Sequence, residues 1–120
     1  MCGIFGMVGD NCVKDTIDSL RALEYRGYDS VGVSVKDEGG LHVEKVVGRS
    51  QNLAYVREKY IHATSCIGHT RWATHGAVTR ENAHPFLSYG GDFAIVHNGV
   101  IDNWSALKTM LTDGGVQFTS

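Results

Sequence analysis

From Ser30 to Val47 the chain reads "SVGVSVKDEGGLHVEKVV". Val31, Val33 and Val35 alternate with small or polar neighbours, the period of an extended segment whose two faces meet different surroundings. "KDEGG" then reverses the chain, and Leu41 to Val47 returns beside it. This hairpin commits the chain to antiparallel sheet.

The rest of the chain fills in around that sheet. "GIFGMVG" at 3–9 is short, apolar and bounded by Gly and Asp, and predicts a buried strand starting at the terminus. Between Val13 and Glu24 the apolar positions Val13, Ile17, Leu20 and Leu23 fall on one helical face. Asp15 and Asp18 suit the helix dipole in its first half, and Arg26-Gly27 ends it. A short helix is expected after Ser50, with Ser50 as cap and Leu53 and Val56 inward. Cys66–Arg71 reads as a strand, 73–86 as a long loop, "YGGD" as a turn and Phe93–Val96 as a strand. Trp104–Leu111 reads as a helix capped by Asp102 or Asn103 and stopped at Gly114-Gly115, and "VQFTS" begins another extended segment. Mixed helices and strands with an antiparallel hairpin predict an α+β layered sheet. With 120 residues, 42 % of them hydrophobic, one domain over 1–120 with a real core is expected. The formal charge of −2 offers no basic field for nucleic acid. No apolar stretch approaches the roughly 20 residues of a membrane span, and no signal-peptide pattern opens the chain, so a cytoplasmic address is expected. Cys2, Cys12 and Cys66 do not form a disulfide framework.

Chemistry concentrates in "CGIFG" at 2–6, "EYRGYDS" at 24–30, "GHTRWATHG" at 68–76 and "HNG" at 97–99. Cys2 is one cleavage from being the first residue. Without Met1 it would carry a thiol and a free α-amine, and such an amine, with a pKa of ~7.7–8.0, can take the proton of a nucleophilic thiol. Taken alone, Cys2 can equally be a small residue at a strand end. Arg71 offers a planar fork for a carboxylate. Thr74 and His75 add hydrogen-bonding groups, and Trp72 a wall or cover. Asn98 and the Gly99 N–H could hold a developing oxyanion, although Asn-Gly alone is a frequent turn. A metal reading rests on Cys66 and His69, but in a strand these point to opposite faces, so no metal is expected. No cofactor fingerprint appears among the glycines.

Taken together, Cys2-Gly3-Ile4-Phe5-Gly6, "EYRGYDS", "HTRWATHG", "NAHP" and "HNGVIDN", in this order, resemble the glutaminase domains of glucosamine-6-phosphate synthases, the isomerising glutamine:fructose-6-phosphate amidotransferases. The resemblance runs through nearly all of the chain. It implies the N-terminal nucleophile hydrolase fold, two sheets sandwiched between helix layers, here as a partial αββα sandwich. It implies that Cys2 attacks the side-chain amide of L-glutamine with its own α-amine handling the proton. Asn98 and Gly99 would then hold the oxyanion, and Arg71 the substrate α-carboxylate. Thr74 and His75 would line the pocket, Trp72 would sit on its closing loop, and Arg26 would order the terminus. The expected products are glutamate and ammonia, the ammonia destined for fructose 6-phosphate through a sugar isomerase domain that this sequence lacks. The chain also stops before the family's α-amine-binding aspartate, so an incomplete domain is expected, with unpaired edges favouring a homodimer. Two alternatives stand beside this reading: a non-catalytic glutamine-binding or assembly fragment, and the glutaminase of amidophosphoribosyltransferase.

Overall fold

The computed structural model describes residues 2–120. Its main sheet has four strands, β1 (Gly3–Val8), β2 (Ser30–Asp37), β3 (Gly40–Val47) and β4 (Ser65–Arg71). Their order is β1-β4-β2-β3, and every neighbouring pair is antiparallel. The hairpin β2–β3 is therefore as expected. The late strand β4 separates it from β1, bringing Thr70 opposite Gly3 on one side and Val31 on the other.

Helix α1 (Cys12–Leu23) lies on one face of this sheet. Val13, Thr16, Ile17 and Leu20 form its buried stripe, and Gly68 on β4 lets it approach. A Cβ at Gly68 would stand 2.8 Å from both Leu20 Cδ1 and Thr16 Cγ2. Leu20, Leu53, Val31, Val33, Val35 and Val56 are all 0 % exposed. Each such side chain contributes about 1.5–3 kcal/mol of apolar burial. The short helix α2 (Val56–Lys59) follows a 3₁₀ turn at Ser50–Leu53, and Leu53 and Val56 do point inward. Glu44 on β3 ties this region down by accepting from Lys59 Nζ, Tyr60 Oη and Tyr55 Oη at 2.6, 2.9 and 3.0 Å.

The opposite face carries the connection from β4 to the C-terminal part. Lys45 on β3 holds that connection with Nζ donating to the carbonyls of Ala83 and Glu81, at 2.8 and 3.3 Å. Beyond it, β5 (Phe86–Leu87) and β6 (Ala94–Ile95) form a second, two-stranded sheet, and α3 (Trp104–Asp113) follows. Because β2 is covered on both faces, burial is unbroken from Ser30 to Val35; the valine alternation alone predicts one covered face. The architecture is α+β, with a helix on one side of the main sheet and a small second sheet beginning over the other.

Four local expectations are corrected. Ser50 does not cap a helix with its side chain. Its N–H and Oγ both donate to Glu24 Oε1, at 2.7 and 2.6 Å, so it binds the 3₁₀ turn Glu24–Arg26 that follows α1. The strand at 93–96 is only Ala94–Ile95, because its partner β5 offers two residues. Asn103 occupies the position before α3 but forms no side-chain cap bond, and the helix runs two residues past Leu111. Val116–Ser120 is not a strand, since among the described residues no neighbouring strand gives it a ladder.

Candidate functional site

The described N-terminal segment docks where β4 ends. The Gly3 N–H donates to Thr70 Oγ1 at 3.0 Å. Cys2 Sγ accepts from the Trp72 N–H at 3.2 Å, and its S–H points to the Trp72 carbonyl at 3.6 Å. Asn98 closes the group from the far end of the chain, its Nδ2 donating to the Cys2 carbonyl at 3.2 Å. Cys2, Trp72 and Asn98, chosen from three separate sequence motifs, therefore meet at one sheet corner. Gly99 is exposed directly after Asn98.

Behind Asn98 stand two histidines. His69 is 1 % exposed on β4, and its Nε2 is 2.7 Å from Asn98 Oδ1. The His84 ring stacks on it with centroids 4.1 Å apart and accepts the His97 N–H at Nδ1, 3.3 Å away. Burial, and then the adjacent His69 and Arg71, hold His84 down to about 3. Burial also lowers His69, against the opposing hydrogen bond of Asn98. Both rings are thus neutral in the fold near pH 7. An unfolded histidine protonates near ~6.5, so His84 contributes stability that is present above that pH and lost as pH falls toward 3. The urea midpoint is expected to drop already between about pH 6.5 and 5.5, above the range in which carboxylates take up protons. His84→Asn keeps an acceptor for the His97 N–H but cannot take charge, and flattens that slope. An unchanged slope in the variant would mean that His84 is not held neutral.

The loop after β4 is organised by two buried or half-buried charged residues. Arg71, 6 % exposed, turns back into its own loop. Its Nη1 donates to the Ala77 carbonyl at 2.9 Å and its Nη2 to the His75 carbonyl at 2.6 Å. The guanidinium proposed from sequence for a ligand carboxylate therefore shapes the backbone of 75–77. Asp29, from the "EYRGYDS" segment, latches the other end. Its N–H donates to the Arg71 carbonyl at 2.6 Å, and its Oδ2 accepts the Ala73 N–H. Trp72, between these clamps, is 52 % exposed and lies against Gly27, where a Cβ would stand 3.0 Å from Trp72 Cε3. Thr74 and His75 are exposed on the loop, and the His75 ring meets Trp104 edge-on at 5.6 Å. Arg26 is half-buried at the end of the 3₁₀ turn preceding Gly27.

Asp29 and Thr70 escaped the sequence reading as site residues, and His69 entered it only as a metal candidate. Alternation along "CIGHTR" is the signal that separates them, since Thr70 faces α1 while His69 and Arg71 face the loop. Nothing local marks Asp29 as a latch, since the Arg71 and Ala73 groups it holds lie on β4 and the loop beyond it. Among the described residues no group of three or more His, Cys, Asp or Glu side chains could hold a metal ion, and no helix is long and apolar enough to cross a membrane.

The same arrangement of strands and helix occurs in known proteins. The structure of the allosteric regulatory enzyme of purine biosynthesis superposes with a TM-score of 0.80 at 27 % identity, covering 100 % of this chain and 27 % of that one. Glutamine phosphoribosylpyrophosphate amidotransferase from B. subtilis gives 0.70, also at 27 % identity, over 98 % of this chain and 26 % of that one. Sequence similarity is higher to proteins named glutamine–fructose-6-phosphate aminotransferase (isomerizing). That of Chlamydia trachomatis is 49 % identical over 100 % of this chain, that of Geobacillus kaustophilus 51 % over 90 %, and that of Aquifex aeolicus 49 % over 100 %. The chain spans about a fifth of the length of these curated relatives, 20, 18 and 21 % respectively. The family model described as "Glutamine amidotransferases class-II" matches residues 1–114. A match of that extent, on a fold that gathers Cys2, Trp72 and Asn98 at one corner, makes the chain a member of the class-II glutamine amidotransferases.

Proposed function

We propose that this chain carries the glutaminase step of an isomerising glutamine–fructose-6-phosphate aminotransferase, with Cys2 as its nucleophile. The observation that supports this best is the side-chain amide of Asn98 beside Cys2, because an acyl-transfer centre needs a fixed donor where a carbonyl oxygen becomes negative. One N–H of Asn98 Nδ2 is spent on the Cys2 carbonyl, and an amide nitrogen has a second. With Met1 removed, the α-amine of Cys2 accepts the thiol proton as sulfur attacks the substrate Cδ. Asn98 Nδ2 and the Gly99 N–H hold the resulting oxyanion. Collapse expels ammonia, which takes the proton back from the α-ammonium, and leaves a γ-glutamyl thioester. Water then attacks, giving its proton to the amine, and glutamate leaves with the thiol restored. Arg71 supplies the positive charge for the substrate α-carboxylate, Thr74 and His75 polar walls, and Trp72 a cover. Arg26 orders the terminus through the turn against which Trp72 packs. The relatives' names support fructose 6-phosphate as the acceptor of the ammonia, through a part of those longer proteins that lies outside this sequence.

Alkylation by a glutamine-mimicking diazoketone, read as intact mass and by peptide mapping, tests the assignment. One adduct per chain is expected, on Cys2. Burial pushes the Cys66 thiol up to about 11 and raises Cys12 as well, so neither competes as thiolate near pH 8. Cys2→Ala should abolish labelling. Equal labelling at Cys12 or Cys66 would contradict the assignment, and glutamine binding without any adduct would favour a non-catalytic binding fragment.

A further inference from the structure

We infer that His69 is a positioning residue for the oxyanion donor, fixing which way the Asn98 amide faces through the Nε2–H tautomer of its ring. The inference rests on the glutaminase reading above and deepens it. Two bonding constraints lead to it. The Cys2 backbone carbonyl can only accept, so the amide group 3.2 Å from it must be the nitrogen of Asn98. The amide oxygen then faces His69 Nε2 at 2.7 Å. That oxygen can only accept, so Nε2 must carry the ring proton. In the neutral ring Nδ1 is then bare, and it is buried with no hydrogen-bond partner among the described residues.

The ring is held in this role from several sides. His69 is 1 % exposed, in the middle of a sheet, with His84 stacked on it at 4.1 Å. Arg71 and Asp29 are the other charged groups acting on it, with opposite effects, and burial favours the neutral ring. A flipped Asn98 would turn its oxygen toward the Cys2 carbonyl and toward any oxyanion formed at the substrate, replacing attraction with repulsion. A buried donor fixed at Nε2 prevents that flip. His69 thus acts through Asn98 and does not itself touch the reacting atoms. The lone Nδ1 is the cost of the arrangement, since a second donor there would require the charged ring.

Two measurements on the full chain with Met1 removed decide the matter. The first is the imidazole ¹⁵N–¹H spectrum. His69 should show only the Nε2–H tautomer in the wild type, and a second tautomer should emerge in Asn98→Ala. An Nδ1–H tautomer in the wild type overturns the inference, whether or not the protein hydrolyses glutamine. The second is steady-state glutamine hydrolysis. His69→Phe should lower kcat by roughly 10²-fold, the loss seen when an oxyanion donor is withdrawn, with KM little changed. His69→Gln, whose side-chain N–H reaches the Nε2 position, should recover most of it. In an Asn98→Ala background His69→Phe should cost nothing further, since its partner is already gone. Equal losses in both backgrounds, or no rescue by Gln, also overturn it. A wild-type protein that shows the Nε2–H tautomer but neither hydrolyses glutamine nor labels at Cys2 refutes the glutaminase reading and leaves the positioning geometry intact.

Discussion

Retention of Met1 is expected to slow glutamine hydrolysis by about 10²–10⁴-fold, the usual worth of a positioned acid–base group, with the Cys2 thiol still present. The reason lies in what surrounds the sulfur. Its hydrogen bonds go to the backbone N–H and carbonyl of Trp72, and neither is a base. The two histidines behind Asn98 are engaged elsewhere, His69 with Asn98 Oδ1 and His84 with the His97 N–H. Both are held below the ordinary histidine range, which makes them weak proton acceptors. The α-amine of residue 2 is the remaining candidate, and a retained methionine converts it into an amide and moves the nearest amine a full residue away, about 3.8 Å between Cα positions. The check compares the two forms, sorted by intact mass, for ammonia release over a range of pH. For the processed form the rate should rise with pH through ~7.7–8.0, where a free α-amine loses its proton. A methionine-bearing form that hydrolyses glutamine equally fast would remove the amine from the mechanism.

Much of this was legible where neighbours in sequence are also neighbours in space. The 3.6-residue period of Val13, Ile17 and Leu20 and the alternation of Val31, Val33 and Val35 each report a face, and the structure buries those faces. The order β1-β4-β2-β3 was not legible, because nothing in "SCIGHTR" names its partners across the sheet. The same limit explains the site. Cys2, Trp72 and Asn98 announce themselves by residue type within short motifs. The bonds that hold Asn98 and the segments beside Cys2 and Trp72 come from His69, Thr70 and Asp29, whose roles exist only once the strands are paired. Arg71 and Ser50 have partners that their motifs do not announce. A guanidinium beside a loop suggests a ligand, and a serine before a short helix suggests a cap, yet both first meet partners inside the protein, the carbonyls of 75–77 and the Glu24 carboxylate.

Gly32→Ala is expected to destabilise the chain by about 3 kcal/mol, the upper part of the usual range for overpacking, and to disturb the site from beneath. Gly32 is the third residue of β2, paired with Lys45 of β3 on one side and His69 of β4 on the other. A Cβ there would stand 2.1 Å from the His84 carbonyl oxygen and 3.1 Å from its carbon. Backbone meets backbone, so no rotamer change relieves the contact. The strand cannot retreat, because it is hydrogen-bonded on both edges and its far face packs on α1 through Val31 and Val33. The 83–85 segment must therefore lift, against Lys45 Nζ on the Ala83 carbonyl, and carry the His84 ring off His69. Gly6→Ala is the control on the same face of the same sheet. Its Cβ would find Ile67 Cγ2 at 3.4 Å, an ordinary contact, and a glycine replaced without strain gains about 0.4–1 kcal/mol from a less flexible unfolded chain. Urea midpoints should thus move in opposite directions for the two variants. Only Gly32→Ala should also slow diazoketone labelling of Cys2, since only it loosens the histidine pair behind Asn98. Equal stability in the two variants would mean that residues 83–85 do not rest on β2, and that Asn98 is not supported from beneath by that contact.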